Sequence, residues 1–303
     1  AGGQVGDRGR LGWSGGEAQV VDVHRTPSGI TLHDVRVTAG SLAKGERVSA
    51  RVAPEHRLPT QRNHTATHLL HAALRHVLGE GVRQAGSLVA PDRLRFDFTH
   101  PRPVAPEELQ RIEDLVNRWV LTARATRIVA GRPLQEAIDA GAMALFGEKY
   151  GETVRTVEVP SPGLGDDWVS GLELCGGCHV ANTGEIGPFL IVAERGVASG
   201  VRRIEALTGE AALARVRTQA EQLAAAAGEL GVEGGTAARE IVALKERLRS
   251  AEDELSKLRL RVVAGDGARA DEDVAQVDGA SVVTRRVTTA RGGELRSMGE
   301  VLR

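Results

Sequence analysis

Two short clusters far apart in the chain, His64-Thr65-Ala66-Thr67-His68 and Leu174-Cys175-Gly176-Gly177-Cys178-His179, restrict its fold more than any other feature. On a helix, residues i and i+4 stand about 40° apart in azimuth and one turn apart in height. The imidazoles of His64 and His68 can therefore reach one ion, although two surface histidines explain such a pair equally well. The second cluster admits three readings. A redox CxxC begins a helix after a strand, and Gly176-Gly177 disfavours that helix start. A CxxCH haem attachment needs export and an axial partner. Residues 1–30 lack the basic start and apolar stretch of a secretory signal, and the methionines are only Met143 and Met298. In the third reading, Cys175 and His179 supply a thiolate and an imidazole from a Gly-rich turn. Joined to His64 and His68, they make a tetrahedron of three His and one Cys, a borderline-soft set suited to Zn²⁺. Ligand counting selects zinc. His71 lies another turn along the same face and suits packing or a place behind the ligands. Cys178 reads as a small buried side chain, or as a competitor of Cys175 for the ion.

Composition narrows the setting. At 303 residues and 41% hydrophobic, the chain has room for two or three domains. Its 39 Lys+Arg against 40 Asp+Glu exclude a uniformly basic nucleic-acid coat and an acidic tail, while leaving local basic patches open. No apolar run approaches the ~20 residues of a bilayer crossing, so a soluble, cytoplasmic chain with no membrane partner is expected. The two cysteines are too few and too close to staple a fold. The chain opens at Ala1 without an initiator Met, which reads as a cut from something longer.

The hydrophobic pattern predicts an α+β chain in four parts. Over residues 1–57, short β-branched runs (18–23, 30–37 and 47–52) between turn clusters Thr26-Pro27-Ser28-Gly29 and Lys44-Gly45-Glu46 predict antiparallel hairpins closing a small β-barrel. Over 58–208, strand-like runs at 93–98, 154–159 and 189–194 mix with helices. One of these helices is expected to be N-capped by Asn63 and to stop at Gly79; another starts at Pro106. Over 209–263, Leu213, Val216, Ala220, Leu223, Ala227 and Leu230 repeat at 3,4 spacing, as do Ile241, Leu244, Leu248, Ala251, Leu255 and Leu258 after a Gly-rich break. Two such seams predict a helical hairpin, an antiparallel coiled coil. Residues 264–303, with the strand-like run 280–284, read as the incomplete start of a further domain.

Taken in order, the motifs resemble those of the alanyl-tRNA synthetase family downstream of its aminoacylation core. Gly2-Gly3-Gln4-Val5-Gly6-Asp7 is similar to that family's barrel entry, Asn63-His64-Thr65-Ala66-Thr67-His68-Leu69-Leu70 to its first metal motif, and Glu173-Leu174-Cys175-Gly176-Gly177-Cys178-His179 to its second. Arg83-Gln84-Ala85-Gly86-Ser87-Leu88, residues 94–98, 141–150 and Gly200-Val201-Arg202-Arg203-Ile204-Glu205 extend the resemblance over nearly the whole chain. One departure is Cys178, where the family usually has Thr.

The resemblance implies an editing domain that hydrolyses Ser or Gly wrongly esterified to tRNA(Ala). It places His64, His68, Cys175 and His179 at the Zn²⁺ and Thr67 and Gln84 in the editing pocket. Such a domain is needed because a pocket built for a methyl group cannot exclude Gly by size and rejects the added hydroxyl of Ser only weakly. Four protein ligands fill a tetrahedron, so direct activation of water requires a fifth position or a displaced ligand. The implied partners are the acceptor end of tRNA(Ala) and the remainder of the synthetase. Arg62, Arg83, Arg95, Arg202 and Arg203 are the candidate RNA contacts. With 3% aromatics, base stacking is not expected to dominate. Two other readings are a free-standing editing protein of the same chemistry and a tRNA-binding module whose zinc is only structural. Nothing resembles an ATP-binding aminoacylation site, so no charging activity is expected.

Overall fold

Residues 3–26, 28–143, 150–159, 171–264 and 273–284 are described by the computed structural model of the chain. Most of 264–303, and 144–149 of the motif at 141–150, lie outside the described residues. Near the N-terminus, alternating small and branched residues build strands β1 (Gly9–Trp13), β2 (Gly16–Arg25), β3 (Thr31–Ala39) and β4 (Ser49–Val52). They pair antiparallel in the order β3-β2-β1-β4, with Leu11, Ala18 and Val20 turned to a small core that includes Trp13 and Val23. β3 and β4 are the edges of this sheet, and no pairing between them closes it into a barrel among the described residues.

Helix α1 (Pro54–Leu78) follows, then strands β5 (Gln84–Val89) and β6 (Leu94–Thr99) and helix α2 (Pro106–Leu121). Next come β7 (Arg127–Pro133), α3 (Leu134–Asp139), β8 (Thr153–Val159), β9 (Gly171–Leu174), β10 (Phe189–Ala198) and β11 (Val201–Thr208). Helices α1 and α2 share the main core with the antiparallel sheet β10-β11-β6-β5, through Leu69, Leu70, Leu74, Ile112, Phe96 and Ile204. A second sheet, β7-β8-β9, carries the second His/Cys cluster at the end of β9.

The expected cap at Asn63 is corrected. The helix begins nine residues earlier, with Pro54 in its first turn, and runs through Pro59. Proline suits a first turn, where its missing N–H leaves no bond unmade. Asn63 is buried instead, donating from Nδ2 to the Ala90 carbonyl at 2.7 Å and accepting from the Thr208 hydroxyl at 2.7 Å. A residue that looked like a helix start thus ties α1 to the main sheet.

The chain divides into two compact units, Ala1–Thr218 and Gln219–Arg303. The predicted helical arms are α4 (Gly209–Glu229) and α5 (Ala237–Ala264), followed by a hairpin of β12 (Asp273–Val277) and β13 (Ala280–Thr284). In the second unit, Ala227 and Ala237 beside the turn are buried, whereas the seam residues Leu223, Leu244, Leu248 and Leu255 are between 40 and 61% exposed. The expected packing along the seams is therefore confined to the turn. Two of the six α4 seam positions, Ala220 and Ala227, are alanine, which offers little apolar area to hold two helices together.

Candidate metal centre

The fold brings the two distant clusters into one buried site. Helix α1 presents His64 and His68 on successive turns, and the loop after β9 presents Cys175 and His179. One donor atom from each of the four lies within 4.8 Å of the others, and all four residues are buried. The Cys175 Sγ is 3.4 Å from His64 Nε2 and 3.3 Å from His179 Nε2. Ring centroids of the three histidines are 4.4 to 5.3 Å apart. Cys178 stands outside this quartet, its thiol donating to Gln4 Oε1 at 3.3 Å.

The far side of each imidazole is held by a partner. His64 Nδ1 lies 2.6 Å from Gln4 Oε1, His68 Nδ1 lies 2.6 Å from Glu173 Oε2, and His179 Nδ1 lies 3.2 Å from the Thr65 hydroxyl. Thr65 donates its proton to the Gln61 carbonyl, so its oxygen is left to accept. With Nδ1 engaged in each ring, Nε2 is the free donor, and His68 Nε2 is a buried nitrogen with no hydrogen-bond partner. Imidazoles oriented by second hydrogen bonds and converging with a thiolate are what a tetrahedral ion requires, so the residues fit a metal. Glu173 also accepts from His71 Nδ1 at 3.1 Å, which puts His71 behind the quartet.

The loop itself is clamped from three directions. Arg155 on β8 donates to the carbonyls of Cys175 at 2.8 Å and Gly177 at 2.7 Å. Gln61 on α1 donates to the His179 carbonyl at 2.9 Å, and Gln4 accepts from the Cys178 backbone N–H at 2.9 Å. Gln4 reaches the site because its segment bridges to Val89, with Val5 N–H donating to the Val89 carbonyl at 3.0 Å.

Protonation follows from this packing. Burial alone would raise the Cys175 thiol, but the close imidazoles of His179, His64 and His68 outweigh it and hold its pKa at about 2. Burial lowers His64, and lowers His179 to about 3. His68 is the exception: against burial, the Glu173 carboxylate and the Cys175 sulfur raise it to about 10. Glu173, which burial pushes up, is held well below the usual carboxylate range by His68 and His71. A thiolate and two neutral imidazoles are the forms a metal needs, and only His68 has a proton to surrender.

The remaining predicted residues do not join the quartet. Thr67 is buried on α1, donating to the Asn63 carbonyl at 2.8 Å. Gln84 opens β5 and donates to the Ser87 hydroxyl at 3.3 Å. Arg202 is paired in two-pronged fashion with Glu194 and Arg203 with Asp97. Arg95 lies 3.7 Å from Asp97, and Arg62 donates to the Glu185 carbonyl. Arg83, beside Thr99, has an exposed side chain.

Gln4, Thr65, Arg155 and Glu173 were missed in the sequence, although Glu173, an acid between leucines two residues before Cys175, carried a signal. Glu173→Gln keeps the shape but removes the charge that two histidines face. Metal affinity, measured by chelator competition, is expected to fall about 10- to 100-fold with the fold retained. Undiminished affinity would show that the carboxylate does not orient His68.

Residues 154–205 match the family model described as threonyl and alanyl tRNA synthetase second additional domain. The chain is 54% identical over 278 residues to an alanine–tRNA ligase of Thermus thermophilus, covering 89% of this chain and 31% of that protein. It is 46% identical over 308 residues to the alanine–tRNA ligase of Deinococcus radiodurans and 45% identical over 304 to that of Shouchella clausii. Those matches cover 99% and 100% of this chain and 34% of each relative. The chain is thus homologous along nearly its whole length to alanine–tRNA ligases, and it spans about a third of the length of the curated relatives it matches.

Proposed function

From this homology, we propose that the chain is the editing portion of an alanyl-tRNA synthetase, a cytoplasmic hydrolase that removes Ser or Gly wrongly esterified to tRNA(Ala). The observation that carries the reading is a buried quartet of three imidazoles and one thiolate in a chain so similar to these ligases. His64, His68, Cys175 and His179 would hold Zn²⁺, the ion that suits a borderline-soft set of this kind. Bound there, zinc supplies a Lewis acid that lowers the pKa of water to ~7 or polarises an ester carbonyl. One thiolate against a divalent ion leaves a positive charge, which the buried Glu173 carboxylate beside His68 neutralises. Thr67 and Gln84 are assigned to the pocket for the amino acid. Because the Thr67 proton is committed to the Asn63 carbonyl, its oxygen is an acceptor for the hydroxyl that separates Ser from Ala.

Deacylation by the purified chain tests this. Ser-tRNA(Ala) is expected to be hydrolysed at least ~100-fold faster than Ala-tRNA(Ala), since a site built to bond a hydroxyl discriminates strongly against its absence. Equal rates for the two esters would contradict the assignment of Thr67. A second reading is favoured by the closure of the quartet, since structural zinc sites take all four ligands from protein. Zinc-loaded protein that binds tRNA and hydrolyses neither ester would establish that reading instead.

A further inference from the structure

On the outward face of the N-terminal sheet, three arginines stand in one row across the strands. The register pairs Arg36 on β3 with Gln19 on β2, Gln19 with Arg10 on β1, and Arg10 with Arg51 on β4. Leu11, Ala18 and Val20, which alternate with them, face the core, so the row faces solvent. Strands lie ~4.8 Å apart, and the row therefore spans about 14 Å. Arg10 and Arg51 are directly opposed, an arrangement of like charges that destabilises a strand pair.

No ion pair among the described residues offsets that cost. Among the described residues none of Arg10, Arg36 and Arg51 makes an ion pair, whereas Arg57, Arg202 and Arg203 are each locked to a carboxylate. The flanking acids of β2 and β3 are engaged elsewhere, Glu17 by the Thr38 hydroxyl, Asp22 by the Val23 backbone N–H and Asp34 by His24. At its β1–β4 end the row opens on a groove of about 660 Å³, where Arg8 and His56 join Arg10, Gln19 and Arg51, with Glu55 as the acid at its rim.

We infer that this row is a docking surface for the phosphodiester backbone of RNA. Guanidiniums grip phosphate oxygens in two-pronged fashion, and cations aligned on one face, with Gln19 between Arg36 and Arg10 and no aromatic or aliphatic side chain in the row, position a backbone rather than read bases. A membrane surface is a poorer fit, because the row has nothing apolar to insert. The identification of the polyanion as RNA rests on the proposed editing function; the unpaired cationic row does not.

The test is binding of unacylated tRNA(Ala), followed by fluorescence anisotropy between 50 and 200 mM salt, to the chain and to its Arg10→Gln/Arg36→Gln/Arg51→Gln variant. Affinity is expected to fall at least ~10-fold, and the slope of log K against log salt to shrink by about 2 to 3. Thermal stability should hold or rise, because the Arg10–Arg51 repulsion is gone; a variant that melts lower is replaced by Arg36→Gln alone, for which a slope loss of about 1 is expected. Unchanged affinity and slope would overturn the inference. So would displacement of the tRNA by poly-glutamate at equal charge concentration, which would make the row a protein-docking surface. Salt-dependent binding that needs the row, in a chain that hydrolyses no ester, would sustain the inference while the editing reading fails. Hydrolysis that persists while the variant binds tRNA normally would remove the inference alone.

Discussion

Cys175→Ala is expected to empty the metal centre. Cys175 contributes the one anionic donor of the quartet, and its sulfur lies 3.3 to 3.4 Å from two of the three imidazole Nε2 atoms. Without it, three imidazoles confront a divalent ion in a buried site, where uncompensated charge is costly. Structural zinc is worth about 10–16 kcal/mol in small domains, so losing one of four ligands should cost several orders of magnitude in affinity. Zinc measured on the purified chain should drop from about one equivalent to near zero. Far-ultraviolet circular dichroism should change little, because the main core of α1, α2 and the four-stranded sheet is built from other residues. His68→Ala should behave alike, through the loss of the one Nε2 of the quartet that has no other partner. Undiminished zinc in both variants would refute the assignment.

Gly177→Ala is expected to dismantle the same site sterically while leaving every donor in place. A Cβ on Gly177 would sit 2.0 Å from His64 Cε1, 2.3 Å from His64 Nδ1 and 2.8 Å from Gln4 Oε1. The His64 ring cannot swing away without leaving both Gln4 and Cys175. The loop must move instead, pulling the Cys175 and Gly177 carbonyls from Arg155 and carrying Cys175 and His179 out of register with α1. Overpacking of this sort costs about 1–3 kcal/mol, and metal affinity should fall by at least ~100-fold, since ligand orientation and second bonds are lost together. Gly81→Ala is the control: its Cβ would meet nothing within 4 Å, so its effect on stability should stay within about 0.5 kcal/mol. Equal zinc affinity in the Gly177 variant and the native chain would show that the loop is not held as described.

Much of the architecture was legible locally. The runs at 18–23, 30–37, 47–52, 93–98, 154–159, 189–194 and 280–284 fall wholly or mostly in strands, because β-branched alternation between turn residues is a signal carried within a few residues. Helix α2 starts at Pro106 and α1 stops at Gly79 for the same reason. Strands β1, β5, β7, β9, β11 and β12 were not read out. Gly9-Arg10-Leu11-Gly12-Trp13 and Gln84-Ala85-Gly86-Ser87 are poor in branched residues, and they become strands because β2, β4 and β6 supply hydrogen-bond partners along their length.

The four donors of the candidate metal centre were legible too, since ligand chemistry is a property of residue types and i,i+4 spacing expresses itself on any helix. Their partners were not. Gln4, Thr65, Glu173 and Arg155 come from separate segments, and their meaning depends on which nitrogen or carbonyl they meet. The arginines show the same division. From sequence, Arg202 and Arg203 stand out as an adjacent basic pair, yet the antiparallel pairing of β11 with β10 and β6 sets them beside Glu194 and Asp97. Arg10, Arg36 and Arg51 are unremarkable singly, and strand register aligns them in one row. The chain's own order of residues determined which groups could bind an ion or a phosphate, through composition and short-range period. Only the tertiary structure decided which of them are free to do so, because charge pairing and hydrogen-bond satisfaction are settled between segments that sequence keeps apart.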